Sequence, residues 1–221
     1  MSNGTIEVKF ITPIRSSSEC AVFTSVFRHN VKQIVLLCER CDMGRGGMSR
    51  MEKRMIENTV NMLLNQFGYV SDTDTYVDIS RLAKSVGFRV GESKQLDFNE
   101  DGFIAVSKDK KKLLIGVNDD RTMEEKRFIV AHELAHYFLH YVNSDLEEAV
   151  MHREHIKGKS EEENDADYFA ACILMPEQSF AAQYQEQKKK GYGKDDIVDR
   201  LQVVYRTPRE SIKRRIEEVC K

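Results

Sequence analysis

The stretch that decides the fold is RFIVAHELAHYFLH, residues 127–140. It contains two histidines, His132 and His136, at a spacing of four residues. On a helix, such residues lie about 40° apart around the axis and about 6 Å apart along it, so both imidazoles can approach one tetrahedral ion. Glu133 follows the first histidine, where it can take a proton from a water held by the metal. The stretch therefore predicts a zinc-binding helix with Glu133 as the general base of a hydrolysis.

Apolar residues surround this motif on both sides. They are Phe128, Ile129, Val130, Ala131, Leu134, Ala135, Tyr137, Phe138 and Leu139. A helix that is apolar nearly all round is mostly buried, and buried imidazole and carboxyl groups need polar partners. A shared metal ion supplies such a partner, which favours a metal site over a surface helix with two unrelated histidines.

A second helical stretch, EEENDADYFAACILM at 161–175, offers carboxylates for a third ligand and is ended by Pro176. Glu163 and Asp167 are four residues apart and share a helix face. One of these carboxylates can bind zinc while the other accepts the N–H of a ligand histidine, and we predict Glu163 as the ligand and Asp167 as the acceptor. Asp165 points about 200° away from Glu163 and is the alternative third ligand.

The remaining periodicities indicate an α+β fold. Helical spacing occurs at 51–68 and 78–86, and short strands are expected at 88–93, 102–109 and 111–119. We expect a loop from the end of the metal-binding helix to about Ser160. Two helical patterns separated by YRTP close the chain. The predicted architecture is a small mixed or antiparallel sheet packed with helices, with a zincin-like HExxH helix and a C-terminal helix-turn-helix-like pair.

Three segments are predicted along the chain. Residues 1–50 form an N-terminal extension that ends in a glycine-containing linker, and Met48 and Met51 are possible natural starts. Residues 51–183 form the zinc metallopeptidase domain, and residues 184–221 form a C-terminal helical segment packed on it.

Composition and charge exclude several classes of function. Charged residues of both signs make up 32% of the 221 residues, and the formal net charge is −2, which argues against a general nucleic-acid coating role. The sequence shows neither an apolar run of bilayer length nor a secretory signal pattern. Five scattered cysteines fit free thiols in a reducing compartment. We therefore expect a cytoplasmic protein with no membrane partner.

Several further residues invite a chemical interpretation. His140, one turn beyond the motif, is interpreted as a structural neighbour of the metal site and not as a ligand. Tyr141, His152 and His155 are candidates for stabilising a developing oxyanion. Cys38 and Cys41 form a CxxC pair, but no second pair follows to complete a structural zinc site.

The C-terminal tail raises the question of DNA contact. From Lys188 to Lys221 it holds more Lys and Arg than Asp and Glu, and it has a helix–turn–helix pattern. One basic tail on an acidic protein is a weak electrostatic footprint for DNA. The pattern therefore favours a helical pair that packs on the domain over a DNA-binding element.

Together, RFIVAHELAHYFLH and the stretch ENDADYFAACILMP at 163–176 resemble the ImmA/IrrE-type family of small gluzincin-like metallopeptidases. The chain departs from the family pattern in Ala135, where Gly is usual, and in Asp165, where Glu is frequent. The resemblance implies a cytoplasmic metalloprotease whose partner is a helix-turn-helix repressor of a mobile element or stress response. The alternative is a non-proteolytic zinc-containing regulatory protein that binds a repressor or DNA.

Overall fold

Seven α-helices and five strands occupy the parts of the chain that the structure describes, which are residues 9–10, 50–70, 74–109, 111–142, 150–155 and 160–220 of a computed structural model. The strands are β1 (Lys9–Phe10), β2 (Phe88–Ser93), β3 (Glu100–Val106), β4 (Leu113–Asn118) and β5 (Val150–His155). The helices are α1 (Arg50–Gln66), α2 (Ile79–Val86), α3 (Met123–His136), α4 (Glu161–Leu174), α5 (Glu177–Lys189), α6 (Lys194–Tyr205) and α7 (Arg209–Val219). A π-helical turn, Tyr137–Tyr141, continues α3.

The strands form one mixed sheet in the order β1-β2-β4-β3-β5. The pair β2 and β4 is parallel, and the other three pairs are antiparallel. In the register of β3 with β4, Phe103 lies opposite Gly116, and its buried ring covers the space that a Cβ atom there would need. The α+β class with a small mixed sheet is thus confirmed.

Helix α3, which carries the HExxH motif, packs against β3, β4 and α4. It begins with a capping box: Thr122 Oγ1 accepts from the Glu125 backbone N–H at 3.3 Å, and the Glu125 carboxylate accepts from the Thr122 N–H at 2.7 Å. From Ile129 to His136 every side chain is buried. Helix α3 was expected to be mostly buried, and in the structure it is packed on more than one side.

Two elements differ from the sequence-based expectation. The loop predicted up to Ser160 is wrong for Val150–His155, which pairs with β3 as strand β5. Its sequence VMHREH lacks regular alternation of apolar residues, and the strand is specified by pairing with β3. Helix α5 was not predicted, and the boundary proposed between residues 183 and 184 falls inside it. The division into three segments stays a prediction, and residues 11–49 of its first segment lie outside the described residues.

The last three helices pack together beside the core. Phe180 of α5 and Tyr205 of α6 are both fully buried, with ring centroids 5.2 Å apart. Arg206 ends α6 in the left-handed region, at φ 49°, and so turns the chain toward α7. Within the described residues, no helix has the length and apolar character needed to cross a bilayer.

Candidate metal centre

Helix α3 places both motif histidines and the intervening glutamate in the interior. His132 and His136 are each 1% exposed, and Glu133 is fully buried. The two imidazole Nε2 atoms lie 3.0 Å apart. The spacing of four residues thus directs both nitrogens to one point, as expected for consecutive turns of a helix.

Helix α4 brings a carboxylate to the same point. Its first turn is capped by Ser160, whose Oγ accepts from the Glu163 backbone N–H at 3.2 Å. Glu163 Oε2 lies 3.0 Å from Nε2 of His132, and Oε1 lies 3.4 Å from Nε2 of His136. Hydrogen bonds from the two histidines hold the pKa of the Glu163 carboxyl well below its usual range, so this group stays ionised.

The three donor groups fit a tetrahedral zinc ion. Bonds of about 2.0–2.1 Å place neighbouring ligand atoms of a tetrahedron about 3.3 Å apart. The observed separations of 3.0, 3.0 and 3.4 Å are close to that value. Within the described part of the chain, His132, His136 and Glu163 are the group able to hold a metal, and Asp165 is not a member of it.

A second carboxylate of α4 contacts the far side of the first histidine. Asp167 Oδ1 lies 3.2 Å from Nδ1 of His132. Its other oxygen, Oδ2, accepts from Nη1 of Arg214, also at 3.2 Å. Sequence reasoning paired Asp167 with a ligand histidine but missed Arg214. No local pattern distinguished this arginine from the other basic residues of the tail.

Strand β3 passes close to the Glu133 carboxylate. A Cβ atom added at Gly102 would overlap with Cγ2 of Ile129 and would lie 3.4 Å from Oε1 of Glu133. The absence of a side chain at Gly102 therefore allows the sheet to approach Ile129 and Glu133 of α3. Sequence reasoning assigned no role to this glycine.

The π-helical turn changes the direction of the residues that follow the motif. Val142 N–H donates to the Tyr137 carbonyl at 2.8 Å, a bond over five residues. The His140 ring remains beside the metal position, with its centroid 5.6 Å from that of His136. Burial lowers the pKa of His140, so this ring is neutral near pH 7.

The family comparison agrees with this geometry. The model of the IrrE N-terminal-like domain, a peptidase family, matches residues 83–217. The chain belongs to this family. The resemblance seen in the motifs is therefore confirmed, and membership supports a metallopeptidase-type function.

Other comparisons add less to this assignment. A search of curated proteins found no match. A solved structure of a Mycobacterium tuberculosis transcriptional regulator matches 86% of this chain at 13% identity with a TM-score of 0.45. The chain spans about half the length of that structure, 51%.

In this IrrE-like chain, one of the oxyanion candidates, Tyr141, lies in the π-helical turn, with its ring centroid 6.4 Å from that of His140. Burial raises the pKa of Tyr141, and the nearby charges of Glu162, Glu133 and Glu163 raise it further. The tyrosine hydroxyl is therefore protonated at neutral pH. His152 and His155 lie on β5, but their side chains are outside the described part of the molecule, as are Cys38 and Cys41.

Proposed function

We propose that this protein is a zinc-dependent metalloprotease that hydrolyses a peptide bond in a partner protein. His132, His136 and Glu163 hold the zinc ion, and Glu133 is the general base. The observation that carries the proposal is the convergence of three donor atoms at 3.0–3.4 Å, next to a fully buried glutamate.

Each residue has a distinct role in the proposed reaction. A bound zinc ion lowers the pKa of water and polarises the substrate carbonyl. Glu133 accepts the proton of the attacking water and passes it to the leaving amine. Asp167 accepts the Nδ1–H of His132 and so keeps Nε2 free to bind the metal. Tyr141, which is protonated near pH 7, donates a hydrogen bond to the developing oxyanion.

The proposed substrate is a helix-turn-helix repressor of a mobile element or stress response in the cytoplasm. This part of the proposal rests on the family resemblance. The alternative of direct DNA contact gains little from the tail, because several of its basic side chains are paired with acidic ones. Arg209 contacts Asp195 at 3.1 Å, and Lys213 contacts Glu210 at 2.7 Å.

Metal analysis and a cleavage assay test the proposal together. We expect a single zinc ion per chain in both the unsubstituted protein and Glu133→Gln, because the substitution leaves all three ligands in place. Co-expression with candidate repressors should show cleavage that falls by at least about 100-fold in Glu133→Gln. Glu124→Gln, in the first turn of the same helix, is the matched control and should cleave normally.

Two outcomes would refute parts of this assignment. Unchanged cleavage by Glu133→Gln would exclude Glu133 as the base. A zinc-loaded protein that binds a repressor but cuts none would support the non-proteolytic regulator instead.

A further inference from the structure

The Asp167 carboxylate joins the metal centre to the C-terminal helix. One oxygen faces Nδ1 of His132 on α3, and the other accepts from Arg214 on α7, each at 3.2 Å. We infer that Arg214 is a positioning residue: it holds Asp167 in the rotamer that fixes the ring of His132, and thereby sets the affinity of the metal site. The inference rests on the proposed zinc centre.

Contacts to His132 and to Arg214 involve different oxygens of the Asp167 carboxylate and so restrict its rotation. The His132 side chain is 2% exposed, the Asp167 side chain 18% and the Arg214 side chain 55%. The carboxylate thus lies at the border between the buried ligand and the solvent-facing guanidinium. If Arg214 were absent, one oxygen of Asp167 would lose its charged donor, and the carboxylate could rotate toward water. The orientation of the His132 ring would then be less restricted.

Buried contacts of α7 determine where Arg214 lies. The next residue, Arg215, is 2% exposed, and its Nε donates to the carbonyl of Met175 at the end of α4 at 3.1 Å. Ile212 on the same helix is fully buried. The buried Ile212 fixes α7 in the core, and the Arg215 hydrogen bond ties α7 to the end of α4, so Arg214 reaches Asp167 from a defined position.

The inference differs in its consequences from a simple surface ion pair. An ion pair this exposed adds little to folding stability. If the pair had no other role, its loss would leave the metal affinity unchanged. Partners of metal-binding histidines typically change metal affinity by about 10- to 100-fold. Because Arg214 acts through Asp167, we expect Arg214→Ala to weaken zinc binding by about three- to tenfold, and Asp167→Ala to weaken it further.

The experiment measures zinc affinity in the full chain by competition with a chromophoric chelator. It compares Arg214→Ala, Arg214→Lys, Asp167→Ala and the double alanine variant, with Lys213→Ala as the matched control on the same helix. Visible absorption of the Co²⁺-loaded proteins reports the geometry of the ligands independently of activity. Thermal unfolding of the metal-free proteins shows whether each variant is folded.

The expected result has four parts. Arg214→Ala weakens zinc binding and alters the Co²⁺ spectrum, Arg214→Lys restores part of the affinity, and Lys213→Ala changes neither. In the Asp167→Ala background, removing Arg214 has no further effect.

Three results would overturn the inference. Equal zinc affinity in Arg214→Ala and the unsubstituted protein would overturn the inference and leave the zinc centre intact. An undiminished effect of Arg214→Ala in the Asp167→Ala background would have the same consequence. Failure of the unsubstituted protein to bind zinc would overturn the proposed metal centre and this inference with it.

Discussion

At the scale of single residues, the proposed site depends on which carboxylate of α4 is the third metal ligand. The spacing argument left Glu163 and Asp165 as alternatives, since both lie in the first turns of α4. In the structure, the Glu163 carboxylate reaches both histidines, and Asp165 lies outside that group. Helix geometry explains this result, because residues two apart point to nearly opposite sides.

This difference gives a paired test. Glu163→Ala should lower the zinc content of the purified protein well below one ion per chain, because only two protein ligands remain. Asp165→Ala should leave the zinc content unchanged. Elemental analysis of both variants after dialysis measures the effect, and full occupancy in Glu163→Ala would return the assignment to Asp165.

The buried thiol of Cys172 gives a prediction that depends on pH. This residue of α4 is 3% exposed, and burial raises the pKa of its thiol to about 11. Because the thiolate is the reactive form, labelling by iodoacetamide at pH 8 should be slow in the folded protein and should accelerate as the pH approaches 11.

Cys220, near the end of the chain and only half-buried, is the internal reference for this measurement. Peptide mapping at several times should show Cys220 labelled about ten times faster than Cys172 at pH 8. Equal rates for the two thiols would show that α4 opens readily or that Cys172 is not buried.

At the scale of secondary-structure elements, the close approach of β3 to α3 controls the position of Glu133. Gly102 is the contact point, since an added Cβ would overlap with Ile129 and crowd Glu133. We expect Gly102→Ala to destabilise the fold by about 1–3 kcal/mol, as overpacking does. Cleavage should fall while zinc is retained, because the atoms nearest an added Cβ belong to Ile129, Gly116 and Glu133 and not to the three ligands.

A second glycine provides the control for this substitution. A Cβ at Gly193, before α6, would meet Asp196 at an ordinary distance of 3.5 Å. Gly193→Ala creates no overlap and only replaces the N-cap glycine of α6 by a poorer cap, so it should cost less than about 1 kcal/mol of unfolding free energy. Urea denaturation of both variants tests the comparison, and an equally stable Gly102→Ala would contradict the packing argument.

At the scale of the whole molecule, one arginine of the metal-binding helix joins three parts of the fold. Arg127, 8% exposed, donates to the carbonyl of Val77 before α2 at 2.9 Å and to that of Arg206 after α6 at 3.0 Å. Its guanidinium also lies 4.4 Å from the centre of the Tyr76 ring. The turn between the last two helices is thereby attached to α3.

Removing this arginine should weaken the whole fold. In Arg127→Met the buried carbonyl of Val77 and the partly buried carbonyl of Arg206 lose their donor, which costs about 2–4 kcal/mol of unfolding free energy. Lys189→Met, on the exposed face of α5, should change it by less than about 0.5 kcal/mol. Chemical denaturation measures both free energies of unfolding. A loss in Arg127→Met as small as that in the control would show that the Arg127 contacts are not needed for stability.

The sequence by itself determined the features that depend on neighbouring residues. His132 and His136 are four residues apart, so helix periodicity places them on one face, and the same holds for Glu163 and Asp167. The limits of α2 were predictable because Asp78 caps its start and Gly87 ends it with φ 111°. Strands β2, β3 and β4 and the two C-terminal helices were likewise predictable, because apolar periodicity and the turn residues between elements are local features of the sequence.

Only the tertiary structure decided the features that join distant residues. Strand β5 exists through its pairing with β3, and Arg214 meets Asp167 across 47 residues of chain. The contact of Gly102 with α3 and the widened turn after His136 also depend on how the elements pack. None of these leaves a local pattern, because their free energy comes from surfaces that meet only in the folded chain. The metal-binding motif was therefore predictable from spacing, whereas the contacts that orient it were not.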